Sequence, residues 1–142
     1  MDRLSKAQRS ANMQRIRSAH TRPELKVRKI AYALGYRYRL HDRRLPGRPD
    51  LVFRAQRKVI FVNGCFWHQH AGCRAGRLPK SNQAYWSAKL RRNVQRDAEV
   101  RARLTRMGWQ YLDLWECEIA DPNQITSKLL AFLDNPVREY GA

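Results

Sequence analysis

Acidic residues are scarce in this 142-residue chain. Twelve Asp and Glu stand against 29 Lys and Arg, a formal net charge of +17. Such an excess repels itself strongly unless a polyanion is the usual partner, so nucleic acid is the first candidate and an acidic membrane surface the second. Long apolar runs are absent too. The longest is Leu129 to Leu133, far short of the roughly 20 residues that span a bilayer. The opening MDRLSKAQRS holds no hydrophobic signal core, so the expected location is the cytoplasm, with no membrane partner. Cysteine is limited to three residues, which cannot all pair within one chain. In a reducing compartment they are expected as metal ligands or buried thiols, not as a disulfide framework. There is no internal repeat and no sign of a second domain. The length suits a single domain, residues 1–142, built on one hydrophobic core, and a monomer is the default expectation.

Residues 1–20 are polar and basic, with apolar anchors only at Leu4, Met13 and Ile16. They read as an arm that becomes ordered on an acidic partner. The first helix opens at Thr21-Arg22-Pro23-Glu24, a capping box by pattern. Val27, Ile30, Ala31 and Leu34 follow the spacing of a buried helical face, and Gly35 ends it. Tyr36 to Leu40 alternates as a half-exposed strand does, and HDRRLPGRPD reads as a loop. Leu51-Val52-Phe53 and Lys58 to Val62 predict a hairpin. With its turn centred near Gln56, Asp50 falls opposite Val62 and Phe53 opposite Val59. A loop over 74–84 precedes a long helix from Tyr85 to Met107, with Trp86, Leu90, Val94 and Ala98 as its inward stripe. Lys89, Arg91, Arg92, Arg96, Arg101, Arg103 and Arg106 fall largely elsewhere on it. A strand from Trp109 to Trp115 and a helix from Pro122 to Leu133 complete the order α-β-β-β-α-β-α. That order predicts an α/β fold, a central mixed sheet flanked by helices.

Chemistry-bearing residues crowd into FVNGCFWHQHAGC, residues 61–73. Cys65, His70 and Cys73 are close enough to converge from one tight loop, and Cys117 lies just past a predicted strand end. Together they form a Cys3His set suited to a closed tetrahedral zinc site, the alternative being three buried thiols and a surface histidine. The zinc would be structural, tying the loop to the last strand. His68 is left over. A histidine not used by a metal titrates near neutrality and can serve as a general base. In an extended loop it would face away from His70. Asp50, beside it in the expected register, suits Mg2+ and phosphodiester hydrolysis, or is simply a turn aspartate. Glu24 is a capping residue, an active-site carboxylate, or both.

The segments NMQRIRSAHTRPE, LPGRPDLVF, FVNGCFWHQHAGC, PKSNQAYWSAKLRRNVQRD and GWQYLDLWECEI, in this order, resemble the very short patch repair endonucleases. These enzymes nick DNA at T:G mismatches left by deamination of 5-methylcytosine. The resemblance covers residues 10 to 120, and GCFWH with the downstream WEC is its most specific part. It implies a restriction-endonuclease-like core in a variant without the usual catalytic lysine. It also implies that Asp50 is the central Mg2+ ligand, with the backbone carbonyl of Val62 as a second. His68 would be the general base, and Glu24 would support the site through water on the metal. Cys65, His70, Cys73 and Cys117 would bind structural Zn2+, while Phe66 and Trp67, with Met13 from the arm, would wedge into the duplex.

Two positions depart from the family's pattern. Asn63 stands where a second active-site histidine is common, and two residues separate His70 from Cys73 where one is commoner. The expected partner is double-stranded DNA carrying a T:G mismatch, with mismatch-repair proteins as candidate protein partners. The basic arm and the arginine-rich helix would contact phosphates. A zinc-stabilised DNA-binding module without catalysis, or a restriction-type nuclease cutting matched DNA, would share the charge and the zinc. The former leaves Asp50 and His68 without work.

Overall fold

The computed structural model describes residues 21–73 and 77–134. The basic arm, and Met13 with it, lie outside the described residues. Helix α1 (Arg22–Ala33) starts where the Thr21 hydroxyl accepts the Glu24 N–H at 3.4 Å, half of the expected capping box. Val27 and Ala31 are fully buried. At its far end Gly35 adopts φ +98°, which lets the Tyr36 N–H reach back to the Ala31 carbonyl at 3.0 Å.

Among the described residues four strands follow: β1 (Arg39–Leu40), β2 (Leu51–Phe53), β3 (Lys58–Asn63) and β4 (Gln110–Trp115). They form one sheet in the order β1-β2-β3-β4, with the first two pairings antiparallel and β3–β4 parallel. Helix α2 (Gln83–Arg106) makes the crossover from β3 to β4, and α3 (Pro122–Leu133) is the last of the described elements. The element order and the mixed sheet are those expected. Among the described residues no helix is long and apolar enough to cross a membrane.

The sheet buries both faces. Leu51, Phe53, Ile60 and Leu114 pack with Val27 and Ala31 of α1 and with Ile125, Leu129 and Leu133 of α3. Val52, Val59 and Phe61 pack on the other side with Val100 and Leu104 of α2 and with Leu45. Lys58 points into the α3 side, fully buried, its Nζ donating to the Phe132 carbonyl at 2.5 Å. A cation there meets the negative end of the α3 dipole.

Three local expectations are corrected. First, the hairpin register is shifted by one residue: Phe53 pairs with Lys58 and Leu51 with Ile60. The observed pairing keeps Leu51, Phe53 and Ile60 on one face and Val52 and Val59 on the other. A one-residue slip would have mixed the two sets. Second, β1 shrinks to two residues. Tyr38 would fall opposite Phe53, beyond which the partner chain curls into a 3-10 turn at Arg54–Gln56. Third, the inward stripe of α2 is not Trp86-Leu90-Val94-Ala98. Val94 is 43% exposed, and the buried positions are Trp86, Leu90, Val100 and Leu104. At 3.6 residues per turn a strict spacing of four drifts off the face. The positions between Leu90 and Val100 that do face inward are polar, which hid them from an apolar search.

The loop of residues 41–50 reaches the sheet at Gly47, whose φ of +76° favours glycine. A Cβ there would sit 2.5 Å from Cγ1 of Val100 and 3.3 Å from the Phe61 ring. Gly47→Ala is therefore expected to destabilise the fold by about 1–3 kcal/mol, read as a lower denaturant midpoint. An unchanged midpoint would show that the loop is not pinned against α2.

Candidate active site and metal centre

A cleft of about 670 Å³ opens between the start of α1, the end of β3 and the middle of α2. Glu24, Asp50, Val62, His68 and Asp97 all line it. Glu24 comes from the first turn of α1 and is 2% exposed. Its carboxylate is paired with Arg28, one turn on, and lies 2.9 Å from Nε2 of His41. His41 Nε2 is in turn 3.7 Å from Asp50 Oδ1. The other oxygen of Asp50 accepts the Val62 backbone N–H at 2.7 Å. The contact expected between Asp50 and Val62 is present despite the shifted register, because the side chain spans the offset.

Glu24, His41 and Asp50 each present one donor atom, all within 4.8 Å of one another, a set that could hold a cation. Burial pushes the Asp50 carboxyl up to about 7; the Val62 N–H opposes the rise and the charge of Glu24 adds to it. A cation between these carboxylates would replace the proton that burial otherwise favours.

His68 rides on the loop after β3. This loop is not extended as expected but coiled into successive turns. The His68 N–H reaches the Gly64 carbonyl at 3.1 Å, and the His70 N–H reaches the Cys65 carbonyl at 3.0 Å. The two histidines still diverge. His68 Nδ1 lies 2.6 Å from Asp97 Oδ2 on α2, while His70 Nδ1 lies 3.7 Å from Cys65 Sγ and 3.4 Å from Cys117 Sγ. With Nδ1 committed to a carboxylate, Nε2 is the His68 nitrogen left for chemistry. Asn93 ties the same loop to α2, donating to the Trp67 carbonyl at 3.1 Å.

Cys65, His70, Cys73 and Cys117 bring one donor atom each to within 4.8 Å of one another. Tetrahedral zinc with ordinary Zn–S and Zn–N bonds separates adjacent S and N by about 3.5 Å, so the donor set fits such an ion. The His70 ring stacks on Trp115, centroids 4.2 Å apart and planes 10° from parallel, which fixes the orientation of Nδ1. Burial pushes the Cys65 thiol up to about 12, so it would surrender its proton to a metal rather than to water. Phe66 and Trp67 are half-buried. Their ring centroids lie 5.6 and 5.9 Å from that of Trp86 on α2, making an aromatic edge to the cleft.

His41 and Asp97 are the residues that reading the sequence missed. His41 follows β1 directly, and the pairing of Leu40 with Leu51 places it opposite Asp50; the β1–β2 hairpin was the available signal. Asp97 carried none, because its partner lies 29 residues away.

Asp50 generates a pH prediction. Its carboxyl binds a proton more tightly folded than unfolded. Its stabilising contribution is therefore complete below the ordinary value of 3.8 and is lost as pH rises through about 7. In buffer without added divalent cations, the melting temperature of Asp50→Asn should fall less than that of the wild type between about pH 5 and pH 8. Parallel curves would show that Asp50 is not the group responsible.

Comparison with known proteins agrees with the resemblance drawn from the motifs. Residues 1–74 match the family described as DNA mismatch endonuclease Vsr. The type II nicking enzyme V.XorIIP of Xanthomonas oryzae pv. oryzae is 48% identical over 133 residues, covering 94% of this chain and 97% of that protein. The type II nicking enzyme V.NmeAIP of Neisseria meningitidis is 39% identical over 118 residues, 83% of this chain and 84% of its own. The DNA mismatch endonuclease Vsr of Escherichia coli is 38% identical over 125 residues, 88% of this chain and 80% of its own. The chain thus belongs to the DNA mismatch endonuclease Vsr family and is a strand-nicking DNA endonuclease, a hydrolase.

Proposed function

We propose that this endonuclease nicks one strand 5′ to the thymine of a T:G mismatch, the product of 5-methylcytosine deamination, and so initiates very short patch repair. We further propose that it requires Mg2+ and is built on a restriction-endonuclease-like core. The observation that carries this reading is the convergence in one cleft of Asp50, the backbone of Val62 and the His68–Asp97 pair. A DNA-binding module without chemistry has no use for them.

The oxygen donors of Asp50 suit Mg2+. In an extended strand the N–H and carbonyl of one residue point to the same edge, so the Val62 N–H contact with Asp50 supports the Val62 carbonyl as the second ligand. Glu24 supports the site from beside Asp50, and His41 orients both carboxylates. Bound there, Mg2+ would supply Lewis-acid stabilisation of the charge on the phosphate and the leaving oxygen. His68 Nε2 takes a proton from the attacking water, while the Asp97 carboxylate stabilises the imidazolium that forms. Water adds to phosphorus, the strand's ester oxygen leaves, and the phosphodiester is cut once.

Cys65, His70, Cys73 and Cys117 would hold Zn2+, clamping the loop that carries His68 to the end of β4. Phe66 and Trp67, with Met13 from the arm, would insert beside the mismatch, kinking the duplex where pairing is weak. The outward arginines of α2, Arg91, Arg92, Arg103 and Arg106, face solvent where phosphates could approach, so affinity should fall steeply with salt. The relatives named type II nicking enzymes carry no mismatch in their names, so nicking of fully paired DNA stands as the second reading.

A panel of labelled duplexes separates these readings. With Mg2+, the T:G duplex should be nicked in one strand and the T:A control spared; equal cutting of both would favour the second reading. Asp50→Ala should abolish nicking while DNA binding persists, and His68→Ala should lower kcat by about 10²–10⁴-fold. Absence of any nicking with any duplex would return the protein to the binding-module class. For zinc, native mass spectrometry should find one ion per chain, and Cys73→Ser should lower both zinc occupancy and melting temperature. A metal-free chain of unchanged stability would refute the structural role.

A further inference from the structure

The inner face of α2 carries Asp97 and, one turn on, Arg101. The Arg101 side chain is only 12% exposed, and every edge of its guanidinium is engaged. Nε donates to Asp113 Oδ2 at 3.4 Å, and Nη2 to Asp113 Oδ1. Nη1 lies 3.7 Å from Asp97 Oδ1. Its flat face covers the Phe61 ring, Cζ 3.8 Å from the centroid. Arg101 also lines the cleft, but its guanidinium is turned to carboxylates of the protein.

Asp113 is itself anchored. Asn63, 4% exposed, donates from Nδ2 to Asp113 Oδ1 at 2.9 Å. The pleat explains the meeting. Phe61 pairs with Asp113 and Asn63 with Trp115, so alternation puts Phe61, Asn63 and Asp113 on the sheet face that α2 covers. A continuous polar chain runs Asn63–Asp113–Arg101–Asp97–His68 from the sheet, through the helix, to the loop. Asp97 uses its two oxygens separately: Oδ2 meets His68 and Oδ1 faces Arg101. The hydrogen bond at one oxygen and the ion pair at the other restrict how the carboxylate turns, and with it the imidazole it contacts.

We propose that Arg101, anchored by Asp113 and Asn63, is a positioning residue for the nicking reaction: it fixes Asp97 and, through it, His68. This rests on the reading of His68 as the general base. It assigns Asn63 the far end of a positioning chain instead of a place at the reacting atoms. It also gives Arg101, on the helix expected to contact phosphates, a role inside the protein.

The test compares wild type, Arg101→Gln, Arg101→Lys, Asp97→Asn and the Asp97→Asn/Arg101→Gln double variant on the mismatched duplex. DNA binding across a salt series, thermal melts and the His68 ring 15N resonances are followed in parallel. Arg101→Gln should lower kcat by about 10- to 100-fold with KM unchanged, since small misplacements of a reacting group cost that much. Arg101→Lys should recover only part, because an ammonium cannot serve two carboxylates with a planar fork. The double variant should be no slower than Asp97→Asn alone, because Arg101 acts through Asp97. Additive losses, wild-type kcat in Arg101→Gln, or a salt slope reduced by about one in that variant would overturn the proposal. Should Arg101→Gln fail to fold, Asn63→Ala leaves the ion pairs in place and should still lower kcat without changing KM; wild-type kcat there would count against the chain. The ring resonances decide independently of turnover. Wild type should show one tautomer with the proton on Nδ1, and Arg101→Gln should shift or broaden it. Identical spectra would sever the link even if the wild type did not nick, an outcome that by itself would overturn the general-base reading.

Discussion

The parallel pairing of β3 with β4 is the constraint on which the rest of the molecule depends. Its register sets Val62 beside Leu114 and Asn63 beside Trp115, so both strands end together at one edge of the sheet. The loop of residues 64–73 and the turn at Glu116–Glu118 leave that edge side by side. Cys65 and Cys117, far apart in the chain, meet over His70, and Trp115 stacks on the same ring. The cleft also lies at the carboxyl ends of these strands, where open sheets commonly bind ligands. A shift of one residue in this pairing would turn Asp113 away from Asn63 and Arg101 and dismantle the thiol cluster at the same time.

Charge is distributed to match. The chain has few acids, yet Glu24, Asp50, Asp97 and Glu116 line the same cleft, together with Arg22, Arg48, Lys89, Arg96 and Arg101, while Arg91, Arg92, Arg103 and Arg106 of α2 face solvent. An outer surface of positive charge attracts the DNA that the family cuts, and an inner cluster of carboxylates suits a cation. Burial, with the charge of Glu24 adding to it, raises the Asp50 carboxyl, a cost in stability that a bound divalent ion would offset. The proposed site is thus held ready by the fold, and a divalent ion would complete it.

Much of this could be read without coordinates. Thr21 and Gly35 bound α1 by local rules, and the apolar runs place β2, β3 and β4 to within one residue, although β1 is three residues shorter than expected. The spacing of Cys65, His70 and Cys73, with Cys117 beyond the last strand, identified a donor set that the structure brings together. Less legible was anything that depended on how elements meet. The stripe of α2 was misplaced because its inward residues at 97 and 101 are charged, and charge reads as surface in a linear sequence. The hairpin register slipped by one because the 3-10 turn at Arg54–Gln56, with Arg57 left-handed, closes the hairpin on four residues where the expected pairing left five.

Composition, periodicity and motif spacing by themselves determined that the chain is a basic α/β protein with a Cys/His cluster, and the motifs pointed to its family. Those properties are local, or survive as patterns along the chain. The tertiary structure alone decided the pairings across it. It set His41 beside Glu24 and Asp50, Asp97 beside His68, and Arg101 between two carboxylates instead of in solvent. The reason is physical. A charged side chain is inward or outward according to whether a partner from another element is there to satisfy it, and the order of residues does not contain that partner's position.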